Sequence, residues 1–92
     1  MMIENFYLYT FSNTHGAIAT EKILKEAGAT ILPVPRVISA SCGISVRIKP
    51  ENIELARKLM TEKSDLAPGE YSLYYMTRNK ETKETSAEKL TE

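Results

Sequence analysis

Apolar and polar positions along this chain alternate between two periods. Residues 4–11, Glu-Asn-Phe-Tyr-Leu-Tyr-Thr-Phe, are aromatic-rich and bounded by polar residues, which predicts a strand. Phe6 and Leu8 share one face of it, and Tyr7, Tyr9 and Phe11 share the other. A strand apolar on both faces belongs in the middle of its sheet. Ser12-Asn13-Thr14 then offers three N-cap side chains for a helix running to Ala27. Gly16, Ala17, Thr20, Ile23, Leu24 and Ala27 form its inward stripe, while Ile18 falls outside the stripe and is expected to be partly exposed. Gly28 suits the positive φ of a helix C-terminus.

Residues 29–34 read as a second strand. Pro33 and Pro35 cannot donate to a ladder, so this strand is expected at an edge. The loop Arg36 to Ser41 follows. A third strand over 42–49 alternates Ile44, Val46 and Ile48 with Gly43, Ser45, Arg47 and Lys49. Pro50 stands at the first helical position of a second helix that runs to Lys63 and buries Ile53, Ala56, Leu59 and Met60. Pro68-Gly69 marks a turn, and residues 70–77 predict a fourth strand. From Asn79 onward only Ala87 and Leu90 are apolar. Residues 79–92 are therefore expected to be a polar, mobile tail, with a frayed helix as the alternative.

The element order βαββαβ predicts an α+β, ferredoxin-like sandwich over residues 1–78. Its four-stranded antiparallel sheet would have strand order 4-1-3-2, with both helices on one face. The open face is expected to carry Tyr7, Tyr9, Phe11 and part of Tyr71 to Tyr75. The strand directions bring the third strand's start to the same sheet end as Ser12 to His15.

Composition narrows the chemistry. The 12 basic residues equal the 12 acidic ones, and zero formal charge argues against a non-specific nucleic-acid binder. The tyrosines have no RNP-like Gly-Phe-aromatic pattern beside them, so single-stranded RNA recognition has no motif to support it. The sequence begins without a basic region and apolar run, and no apolar stretch reaches membrane-span length, so a cytoplasmic protein is expected. No CxxC, metal-spaced Cys/His set or Gly-rich phosphate loop is present, and no metal or cofactor is expected.

Cys42 is the single cysteine. A lone thiol survives in a reducing compartment. At the expected sheet end it would stand near the first helix's N-terminus, where Ser12, Asn13 and Thr14 form an anion-binding start. That partial positive charge, with His15, Arg36 and Arg47, would favour the thiolate, which is the nucleophilic form. The plainer reading keeps Cys42 as a small buried hydrophobe and His15, Arg36 and Arg47 as solvated side chains. One thiol fits a carrier better than a disulfide reductase, which needs a second, resolving cysteine.

Phe11-Ser-Asn-Thr-His-Gly-Ala17, Glu21, Leu32-Pro-Val-Pro-Arg36, Ile38-Ser39 and Ser41-Cys-Gly43 together resemble the putative selenium/sulfur carrier protein-like family of small bacterial domains. The resemblance spans roughly residues 5–77. It implies that Cys42 accepts sulfur or selenium as a persulfide or selenide adduct and passes it on. Pro33, Pro35, Arg36, Ser39, Ser41 and Gly43 would shape its loop. The implied partners are donor and acceptor proteins, and the implied role is that of a carrier rather than a turnover enzyme. The Cys-Pro-x-Pro motif of the better understood sulfur-relay carriers is not present. The competing classes are a small-ligand-binding or regulatory module, with an anion at the first helix start, and an interaction domain using the tyrosine face. A homodimer through that face is the expected assembly.

Overall fold

A computed structural model describes residues 2–38, 43–67 and 69–91. The elements are β1 (Ile3–Phe11), α1 (Thr14–Ile23), β2 (Thr30–Pro33), β3 (Ile44–Ile48), α2 (Ile53–Lys63), β4 (Tyr71–Asn79) and β5 (Thr85–Lys89). Short 3-10 turns extend α1 over Leu24–Ala27 and open α2 over Pro50–Asn52. Gly28 closes the first of these with φ 72°, a left-handed conformation that costs glycine nothing.

The sheet is antiparallel and five-stranded, in order β2-β3-β1-β4-β5. This overturns the four-stranded ferredoxin-like sandwich of order 4-1-3-2; the chain remains mixed α+β. The added strand comes from residues 79–92, the segment read as a tail. Its apolar content is too low to signal a strand, with Ala87 alone in Thr85–Lys89. The strand forms because β4 offers it a long edge and the turn between them is self-bonded. Asn79 Oδ1 accepts from the Glu81 and Thr82 N–H groups at 2.9 and 3.2 Å. The Asn79 N–H donates to the Glu84 carbonyl at 2.8 Å.

Lys83 closes that turn at φ 67°, where an L side chain crowds its own backbone. Lys83→Gly is expected to stabilise the protein by about 0.5–1 kcal/mol in urea denaturation, because the relieved strain exceeds glycine's added unfolded-state entropy. A net loss of stability would show that Lys83 holds this conformation through contacts of its own.

Both helices pack on one face of the sheet. Tyr9, Phe11, Val46, Ile48 and Leu73 meet Ala17, Leu24, Ala27, Ala56, Leu59 and Met60 there. Ile18 is exposed, as the stripe predicts. The opposite face is not bare. Phe6, Leu8 and Met76 are buried on it beneath Ile38, with Leu32, Val34, Tyr74 and Ala87 around them. The expected open tyrosine face is therefore corrected. Tyr7, Tyr9 and Phe11 lie on the helix side, as do Tyr71 and Tyr75, and only Tyr74 joins the helix-free side. The register decides this: Tyr9 stands opposite Val46 and Leu8 opposite Arg47. A strand apolar on both faces does not encode that register, and a slip of one residue exchanges its faces. The tyrosines pair edge-to-face, Tyr7 with Tyr75 at 5.1 Å between ring centroids.

Candidate functional site

The site is built at the end of the sheet where β1 finishes and β3 begins. Thr10 pairs with Ser45, and Pro33 pairs with Ile44. The last residues of β1 and β2 and the first of β3 therefore share one end. The Ser12 N–H donates to the Glu70 carbonyl at 3.0 Å, which ties the exit of β1 to the entry of β4.

Of the three candidate caps, Asn13 is the one used. Its backbone is extended, and its side chain accepts from the Gly16 N–H at 2.9 Å. This satisfies one donor of the first helical turn and anchors the positive end of α1 at this sheet end. Ser12, Thr14 and His15 are exposed around it. Gly16 is buried, and a Cβ there would lie 3.5 Å from Leu66, so the first turn of α1 sits close on the α2–β4 connection.

The segment after β2 leaves the sheet edge in a tight turn. The Ile38 N–H donates to the Pro35 carbonyl at 3.0 Å, with Arg36 and Val37 exposed at its tip. Pro35 is half-buried and Pro33 exposed. Ile38 is only 7% exposed and packs into the helix-free core. The segment's return is fixed at Gly43, whose carbonyl accepts from the Val34 N–H at 3.1 Å. Among the described residues, none comes within 4 Å of a Cβ built on Gly43.

Ser12, Asn13, Thr14, His15, Pro33, Pro35, Arg36 and Gly43 are thus brought to one end of the sheet, the first two on the β1–α1 connection, Thr14 and His15 at the start of α1, and the rest at the end of β2 and on the flanks of the β2–β3 connection. Ser39, Ser41 and Cys42 lie outside the described residues, as does Pro68 of the expected turn. The expected neighbourhood of the thiol and the α1 start therefore rests on the sequence reading.

Arg47 is not part of this group. Its guanidinium stacks over Phe6, 5.0 Å from the ring centroid, and Nη2 reaches Glu4 Oε2 at 3.4 Å. Glu4 and Phe6 lie toward the start of β1, away from the head of β3. Lys80 meets the same carboxylate oxygen at 3.6 Å. Arg47 therefore serves a charge cluster that links β3, β1 and the β4–β5 turn.

Ile38 is the functional neighbour that the pattern missed. It follows Val37 in the loop, and only a second core on the helix-free face decides that Ile38 is buried while Val37 is exposed. Among the described residues, no group of three or more His, Cys, Asp or Glu side chains is placed to hold a metal ion. No helix among them is long and apolar enough to cross a membrane.

The model of one family, described as Putative Se/S carrier protein-like, matches residues 6–71. Neither a curated protein nor a solved structure matches the chain with significance. The family match takes in α1, the β2–β3 connection, α2 and the first residue of β4, and leaves the rest of β4 and β5 outside it. It spans well over half of the 92 residues, and the chain belongs to the putative Se/S carrier protein-like family.

Proposed function

We propose that this chain carries sulfur or selenium on the thiol of Cys42. The observation that carries this reading is the family match over residues 6–71, which includes the single cysteine of the chain. The gathering of the α1 start, His15, Arg36 and Gly43 at one sheet end supports it. A helix N-terminus and cationic side chains near a cysteine favour a thiolate over a thiol, and among the described residues none crowds a Cβ built on Gly43.

The loading step is a thiolate exchange. The Cys42 thiolate attacks the outer sulfur of a donor's cysteine persulfide. A new S–S bond forms on Cys42, the donor's S–S bond breaks, and the donor cysteine leaves as its thiolate. The transferred sulfur keeps its proton, and no external oxidant or reductant is consumed. Unloading is the same exchange with an acceptor thiolate. A selenium atom at the same oxidation level follows the same course.

Incubation with a persulfide-generating cysteine desulfurase, followed by intact mass measurement, tests this. The wild type is expected to gain one sulfur atom, and Cys42→Ser none. Cys42 is also expected to alkylate faster than free cysteine at neutral pH. A thiol that stays unmodified and alkylates no faster than free cysteine refutes the carrier role. It would favour a ligand-binding module using the α1 start.

A further inference from the structure

The two edges of the sheet differ in their backbone chemistry. At the β2 edge, the Val34 N–H bonds inward to Gly43, and Leu32 pairs with Ser45. Inward and outward residues alternate along an antiparallel strand, so Pro33 occupies an outward position. It therefore costs the β2–β3 ladder nothing and leaves the outer edge without a donor there. The expected edge position of β2 is met, and its proline also blocks that edge.

The β5 edge has no such block. Asn79 donates to the Glu84 carbonyl, and Leu90 donates to the Leu73 carbonyl, each at 2.8 Å. Between them Thr77 pairs with Ser86 and Tyr75 with Glu88. By the same alternation Thr85, Ala87 and Lys89 turn their N–H and C=O groups outward. Among the described residues, no further strand lies outside β5 in the sheet.

We propose that the outer edge of β5 is a docking surface for a second copy of this chain. The two copies form an antiparallel, two-fold strand pair centred on Ala87, which continues one sheet into the next. β5 complements itself in this register. Ala87 faces Ala87 of the second copy, Lys89 faces Thr85, and Glu88 faces Ser86, so every charge meets a hydroxyl-bearing side chain and no like charges are opposed. All three outward residues on each side exchange backbone hydrogen bonds. The zero formal charge of the chain adds no repulsion between copies. A strand pair of this length buries little side-chain area, so the dimer is reversible and concentration-dependent. The inference stands independently of the chemistry at Cys42.

Sedimentation of the full chain over a wide concentration range, with amide exchange of Thr85, Ala87 and Lys89, tests it. The wild type is expected to pass from monomer to dimer, with those three amides protected only at high concentration. Ala87→Lys sets two ammonium groups against each other across the two-fold axis and is expected to abolish the dimer. Ile31→Lys, on the exposed side of β2, is expected to leave it intact. A wild type that stays monomeric overturns the proposal. So does a dimer whose three amides exchange equally at both concentrations, or one that Ile31→Lys dissolves. If Ala87→Lys fails to fold, the wild-type exchange pattern decides.

Discussion

Leu8→Ala is expected to cost about 3 kcal/mol, lowering the melting temperature by roughly 10–20 °C. Leu8 lies on the face without helices, where a truncation would ordinarily be mild. Yet its side chain is fully buried, between Arg47 on β3 and Tyr74 on β4, in the cluster of Phe6, Ile38 and Met76. Removing its isopropyl group leaves a cavity that the sheet cannot collapse, because its neighbours are fixed by ladders on both sides. Thermal and urea unfolding of the variant measure this. A cost below about 1 kcal/mol would show that water reaches this face freely. The same variant bears on the β2–β3 connection, since Ile38 packs in that cluster and loses contact area with it.

The second expectation concerns alkaline pH. Burial pushes the Tyr9 hydroxyl up to about 12, with nearby Tyr71 adding to the rise and the Arg57 cation partly offsetting it. A raised pKa means that the native state holds this proton more tightly than the unfolded chain, where tyrosine titrates near its ordinary value of 10. The associated stability is fully present below pH 10. It is lost as pH rises from 10 to about 12, because the unfolded chain can ionise and the native one cannot. The loss amounts to about 2–3 kcal/mol. Other groups titrate in that window as well, so the measured quantity is the stability difference between wild type and Tyr9→Phe. That difference should shift in favour of Tyr9→Phe by this amount across the window. A difference that stays constant would mean that Tyr9 ionises as readily folded as unfolded.

Much of the fold was legible because its signals are local. Alternation in Ile44–Ile48 marks a strand whichever way it packs. Asn13, Gly28 and Pro50 act within one turn of their own positions, and each ends or begins the element expected of it. The β5 strand had no local signal, since its pairing is supplied by the edge of β4. The two faces of β1 were equally apolar, so nothing local distinguished the helix side from the other. The sequence allows Arg47 to be a cation near the thiol or a solvated side chain. A carboxylate at Glu4, distant in sequence and adjacent in space, directs it elsewhere.

The same division runs through the candidate site. The sequence by itself determined the single thiol, the proline-rich segment before it, the capping cluster Ser12-Asn13-Thr14 and the family to which these belong. Those are properties of neighbouring residues and survive without coordinates. The tertiary structure alone decided that the tyrosines face the helices and that Ile38 is buried in a second core. It also decided that Pro33 turns outward and that Thr85, Ala87 and Lys89 are left with unpaired edges. Each of these depends on register, and register is a long-range choice: a strand's pattern fixes which residues share a face, and only its partner fixes which face is covered.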